Sequence, residues 1–171
     1  MIACLDVDYR DTTAYAAAIA FREWPDATPV EERVVAVSNF QPYEPGQFFR
    51  RELPCLLAVL RALRPVSVIL VDGYVWLDGM SRPGLGAHLY RALDGQAAVV
   101  GIAKTKFRGT DGACEVTRGR SIRPLFITSA GMNAEEARQH VRSMHGSYRM
   151  PTLLKRVDRL ARSDGVAATT K

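Results

Sequence analysis

Residues 66–71 read Val-Ser-Val-Ile-Leu-Val and run directly into Asp72-Gly73. A strand with one face in water alternates apolar and polar residues. A strand without that alternation is covered on both faces, as in the middle of a layered α/β sheet. The rest of the chain must then supply flanking strands and helices on two sides. Residues 2–9 predict one strand, beginning almost at the first residue, and 33–40 predict another. Residues 12–21 are rich in Ala and fit strand or helix. The alternation of Tyr15, Ile19 and Phe21 and the turn-rich joints on either side favour strand, which completes an antiparallel meander of three.

A helix follows. Leu53, Leu56, Leu57, Leu60 and Leu63 form its apolar stripe, Pro54 fits an early helical position and Pro65 closes it. After the central strand, 76–86 reads as loop, 87–93 as a short helix and 97–103 as a strand. Residues 105–123 predict a hairpin or irregular loop, and 124–128 an edge or late strand. Asn133 is placed to cap a helix, with Glu136 as its capping-box partner, and the helix buries Ala137, Val141 and Met144. Residues 152–161 form a last helix around Leu153, Leu154, Val157, Leu160 and Ala161. The expected architecture is a mixed sheet between helices, one domain over 1–162, with a small polar tail at 163–171 expected to fray.

With 171 residues, 47% of them apolar, the chain can bury a core and is not disordered by composition. The net charge of +5 permits, without requiring, a nucleic-acid footprint. Cys4, Cys55 and Cys114 make no CxxC pair and no even framework, the opening residues carry no signal-peptide pattern, and no stretch has the length of a membrane span. A reducing compartment, the cytoplasm, is therefore expected. His88, His140 and His145 form no metal set with the cysteines, and there is no HExxH, P-loop or G-x-S-x-G.

The chemistry then falls to carboxylates. Asp6 sits inside an otherwise apolar strand, where a charge needs a reason. Asp72 ends the most buried strand, and open α/β sheets bind ligands at the carboxyl ends of their strands. Asp72 before Gly73 also fits a plain turn. Asp8 shares a strand face with Asp6 and competes with it. Glu52 stands directly before the expected helix, where the macrodipole favours a carboxylate. Such acids repel one another unless a cation joins them or their pKa values rise. Mg²⁺ or Mn²⁺ prefers these hard oxygen donors.

Several segments resemble the endonuclease V family, metal-dependent nucleases acting at deaminated adenine (inosine) in nucleic acid. Asp6-Val7-Asp8-Tyr9 is similar to the family's first aspartate motif. The run from Pro42-Tyr43 through Arg50-Arg51-Glu52-Leu53-Pro54 resembles its tyrosine wedge loop and Arg-Glu-x-Pro. Val71-Asp72-Gly73 resembles its second aspartate motif, Gly101-Ile102-Ala103-Lys104 its Gly-Val-Ala-Lys strand end, and Tyr148-Arg149-Met150-Pro151, with Asp158 beyond, its closing segment.

The resemblance implies an RNase H-like fold, three antiparallel strands followed by parallel ones, and a divalent-metal-dependent endonuclease that hydrolyses DNA or RNA near inosine in a repair role; a nuclease without inosine selectivity and a non-catalytic nucleic-acid-binding protein are the alternatives. It implies catalytic Asp6, Glu52, Asp72, Lys104 and Asp158, with metal (Mg²⁺ or Mn²⁺) on Asp6, Asp72 and Glu52. Tyr43 matches the wedge near the lesion, or else anchors its loop on the core. Lys104 matches a lysine near the cleaved phosphate, or else is a solvated strand end, and Asp158 could equally be half of a helix ion pair. Arg50, Arg51, Arg82 and His88 complete the expected substrate side, with Tyr74, which would stack on a base or close a hydrophobic edge. The sequence departs from the family's pattern after Asp72, where Asp78 stands roughly in place of a histidine, and between Lys104 and Pro124, which is shorter. The altered parts are the loops expected to face substrate.

Overall fold

The structure, a computed structural model, describes residues 1–38, 40–42, 44–79, 81–109 and 112–163. Three antiparallel strands open it: β1 (Ile2–Arg10), β2 (Thr13–Phe21) and β3 (Glu31–Ser38). Helix α1 (Phe48–Arg61) leads to β4 (Val68–Asp72), a small hairpin of β5 (Trp76–Asp78) and β6 (Arg82–Pro83), helix α2 (Leu85–Ala92) and β7 (Ala98–Ala103). Strands β8 (Cys114–Val116) and β9 (Leu125–Ala130) and helices α3 (Ala134–Ser143) and α4 (Thr152–Arg162) complete it. The main sheet has the order β3-β2-β1-β4-β7-β9-β8, with β4 central and parallel to both β1 and β7. This is the mixed sheet flanked by helices that the sequence predicts.

The run that opened the sequence reading is as buried as its lack of alternation requires: Ile69, Leu70 and Val71 are at most 1% exposed. Ile69 and Val71 face Cys55, Leu56 and Val59 of α1 and Leu89 of α2. Leu70 faces the opposite layer, with Leu153 and Val157 of α4 and Val141 of α3. Strand β2 is also covered on both sides. Ala14, Ala16, Ala18 and Ala20 lie under the first layer and Ala17 under the second, all with no exposed surface. The Ala-rich segment is thus a strand because its small side chains let helices pack close on two faces, which overrides the helix propensity of Ala.

Four local expectations are corrected. Helix α1 begins at Phe48, so Pro54 and Glu52 lie inside it and no acid occupies its first turn. The macrodipole therefore does not account for Glu52. Residues 76–86 contain the β5–β6 hairpin, too short and irregular for alternation to reveal. Strand β9 lies inside the sheet, and β8 forms the edge. Asn133 caps α3 by accepting from the N–H groups of Glu135 and Glu136, but the Glu136 carboxylate reaches His140 (3.5 Å) rather than returning to the cap. The tail beyond Ser163 lies outside the described residues. Among the described residues no helix is long and apolar enough to cross a membrane.

Candidate active site

Strands β1 and β4 pair from Ile2↔Val68 to Cys4↔Leu70 and then part, whereas β4 and β7 stay paired to Asp72↔Ile102. Continuing the same offset puts Asp6 level with Asp72, one on each side of the split. A crevice at the carboxyl ends of diverging parallel strands is where this class of sheet receives ligands. The cleft is walled by Asp6, Asp72, Lys104 and Asp158 with apolar Ile102 and Leu154 beneath. It offers about 30 Å³ of space, room for about two water molecules.

Each polar wall residue has a local cause. Asp6 faces α4 because it pairs across β1–β2 with Ala17, whose small side chain leaves space beside it. Asp72 is the exposed end of β4. Its Oδ2 accepts from Lys104 Nζ at 2.5 Å, just past the end of β7. Gly101 makes this arrangement possible, since a Cβ there would stand 2.6 Å from the Gly73 carbonyl oxygen and 2.8 Å from the Val75 nitrogen. The chain leaving β4 therefore crosses over β7 at the one residue without a side chain. It is fastened there by the Val75 N–H donating to Thr128 Oγ1 at 2.8 Å. Asp158 comes from α4, with Oδ1 2.8 Å from Arg162 Nη2.

Glu52 arrives from the layer on the other side of the sheet. It is 7% exposed, and its Oε2 is buried without a hydrogen-bond partner. Burial pushes its carboxyl up to about 8, and the charges of Asp6 and Asp72 push the same way against the opposing pull of Arg51. Asp6 is raised to about 6, by burial first and then by Asp158, while the Val7 N–H and Lys104 lower it and Asp72 adds to the rise. One ammonium, paired with Asp72, does not neutralise this group.

An orphaned buried carboxylate oxygen and two acids held above their ordinary range are what an acidic cluster shows when a cation belongs with it. The donors are all hard oxygens, suited to Mg²⁺ or Mn²⁺. Among the described residues no three His, Cys, Asp or Glu side chains form a ready-made ligand cage. Asp6, Asp72 and Glu52 nonetheless fit such an ion by chemistry and position.

Of the residues expected on the substrate side, some are packed into the fold and others face solvent. Tyr74 is buried, and its hydroxyl donates to the Thr105 carbonyl (2.9 Å) and accepts from the Phe107 N–H (3.1 Å). It closes a hydrophobic edge and has no face free for a base. Trp76 is likewise tied, donating through Nε1 to the Ser129 carbonyl. The Arg51 guanidinium lies 3.7 Å over the Tyr9 ring centre and 4.8 Å from that of Phe40, with its Nε buried and its charge acting on Glu52. Asp8 is paired with Arg10 at 2.7 Å and stands apart from the cluster. Arg50 and Arg82 are exposed, Arg82 near the Phe107 ring, and His88 stacks on Phe49 at 3.6 Å between centres. Tyr43 lies outside the described residues.

Two arginines matter in ways that sequence reading missed. Arg118 is 6% exposed and donates to the carbonyls of Met144, Gly146, Tyr148 and Arg149, pinning the α3–α4 connection. Arg149 donates to the carbonyls of Lys104 and Pro124, fixing the strand end that carries the lysine. Nothing in an Arg-rich segment marks which guanidinium is buried.

Comparison with known proteins bears on this geometry. The sequence model of the endonuclease V family matches residues 1–122. The endonuclease V of Streptomyces avermitilis is 31% identical over a stretch covering 91% of this chain and 75% of its own. The structure of the catalytic domain of human endonuclease V superposes with a TM-score of 0.75 at 25% identity, covering 94% of this chain and 80% of that one. Endonuclease V of Ciona intestinalis, in complex with a 23mer DNA containing an inosine followed by a ribo-adenosine, shares the fold, with a TM-score of 0.78 at 16% identity over 94% and 83% of the two chains. The chain belongs to the endonuclease V family, and with it to the nucleases.

Proposed function

We propose that this chain is a divalent-metal-dependent endonuclease that hydrolyses phosphodiester bonds in DNA or RNA beside deaminated adenine. The observation that carries the metal-dependent chemistry is the buried, unpartnered Glu52 carboxylate next to the raised Asp6, at the strand split that also exposes Asp72. Asp6, Asp72 and Glu52 would hold the cation, which supplies positive charge for the phosphate and acidity for a water. Lys104 presents a point charge at the mouth of the cleft, where it exchanges its hold on Asp72 for a phosphate oxygen. Asp158 borders Asp6, adds to the rise that burial begins in the Asp6 carboxyl, and is itself paired with Arg162. Arg149 positions Lys104 through the backbone. The products expected are a 3′-hydroxyl and a 5′-phosphate.

Preference for inosine rests on the likeness of the wedge segment to the family and on the inosine-containing complex of the Ciona relative. A nuclease indifferent to inosine is the second reading, favoured by the closed packing of Tyr74 and Trp76 next to Asp72. Matched oligonucleotides with and without inosine, as DNA and as RNA, separate the two. Cleavage one nucleotide beyond inosine, lost in Asp6→Ala, supports the selective enzyme, and equal cutting of the control supports the indifferent one. Calorimetric titration with Mn²⁺ tests the metal, and failure of the wild type to bind it would sink both.

A further inference from the structure

Beside the acidic cleft lies a groove of about 700 Å³, lined by Arg120, Ser121, Ser147, Tyr148, Met150 and Lys155 among others. Met150 borders both the groove and the cleft. Lys155 stands three residues before Asp158 on α4, on the same helical face, so the groove opens onto the carboxylates one helical turn away.

The groove is built for a particular chemistry. Its lining holds cationic side chains and no carboxylate. Tyr148 is 68% exposed, unusual for so large a ring, and Lys155 Nζ sits 4.0 Å from the ring centre. The ammonium steadies one part of the ring while most of it faces solvent. The wall does not depend on the ligand for its shape. Arg118 fastens the carbonyls of Met144, Gly146, Tyr148 and Arg149 from behind. Gly119 (φ +60°) approaches so closely that a Cβ there would be 2.1 Å from the Ser147 carbonyl oxygen. A rigid aromatic platform with neighbouring cations is the arrangement that receives an unstacked base and its backbone, and a duplex offers no free base face.

We propose that this groove seats a single-stranded segment of the substrate next to the scissile phosphate, with a base stacked on Tyr148 and phosphates against Lys155 and Arg120. The inference rests on the nuclease reading above and adds the strand form and its path.

The test is fluorescence anisotropy with a labelled single strand of about 12 nucleotides, a length within known site sizes. The corresponding duplex is run in parallel, with a chelator present to prevent cleavage. Tyr148→Ala should weaken single-strand binding about five- to a hundredfold, as expected for one stacked base, and leave duplex binding unchanged, whereas Tyr148→Trp should retain it. Lys155→Gln should lower the slope of log affinity against log salt by about 0.7. Circular dichroism checks that each variant is folded. Wild-type affinity in Tyr148→Ala, or equal weakening on both strand forms, overturns the groove assignment while leaving the nuclease reading intact. A wild type that binds neither strand form overturns this inference, while the cleavage assay on matched oligonucleotides decides the nuclease reading separately.

Discussion

Replacing Glu52 by Gln removes a charge that the fold holds at a cost, and its effect should reverse the usual consequence of mutating a buried polar residue. The folded-state value of about 8 lies well above the ordinary 4.5. Below pH 4.5 the carboxyl is protonated whether the chain is folded or not, and the fold bears no penalty. Between 4.5 and 8 the folded form binds more protons than the unfolded chain, so stability falls as pH rises, and the loss is complete above 8. At about 1.4 kcal/mol per pH unit the full penalty is near 5 kcal/mol. In a chelator, wild type and Glu52→Gln should have similar Tm at pH 4, and the variant should melt about 10–20 °C higher at pH 9, using the 2–4 °C per kcal/mol of a domain this size. The other titrating groups largely cancel in the difference. Adding Mg²⁺ should raise the wild type at pH 9 more than the variant, which keeps Asp6 and Asp72 but has no buried Glu52 charge for the cation to relieve. Parallel Tm-against-pH curves for the two proteins in chelator would show that Glu52 is not held as an uncompensated acid, and the argument for a cation at this site would go with it.

Three further outcomes follow from the packing. Arg118→Met strips donors from several carbonyls at once and should cost about 3 kcal/mol in urea unfolding, with extra proteolytic cleavage in the 144–149 segment. Gly101→Ala drives a Cβ to 2.6 Å from the Gly73 carbonyl oxygen and should cost about 1–3 kcal/mol. It should also reduce cleavage more than Mn²⁺ affinity, since Lys104 moves with its strand. Leu56→Ala empties a site that is 1% exposed and should cost about 2–5 kcal/mol, with the surviving folded protein still able to bind Mn²⁺.

What could be read from the chain beforehand tracks the physics that writes itself into local sequence. The missing alternation at 66–71 placed β4 at the centre, because burial on two faces leaves no choice of residue type. Asp6 stood out because a charge in a strand core is rare. Asp72 needed the register of neighbouring strands to be distinguished from a turn residue. Glu52 was found through the Arg-Glu-x-Pro likeness. The helix-terminus role expected of it does not hold, because α1 begins at Phe48, four residues before Glu52, and holds the carboxylate by burial. The fate of Tyr74 was undecidable from sequence, since it turns on two hydrogen bonds to a loop more than 30 residues away. Arg118 was invisible for the same reason, its partners being main-chain carbonyls, which have no sequence signature.

The alanines of β2 set the spacing between layers. Ala16 and Ala18 determine how closely α1 approaches the sheet, and Ala17 does the same for α4 while standing beside Asp6. Glu52 rides on the first of these helices and Asp158 on the second, so the separation of the two carboxylates follows from the layer spacing that these alanines set. Adding a methyl group or two at Ala16 would lift one acid away from the strand split, and adding them at Ala17 would lift the other. Substitutions in this strand are therefore a way to retune or silence the centre while every residue of the centre stays in place.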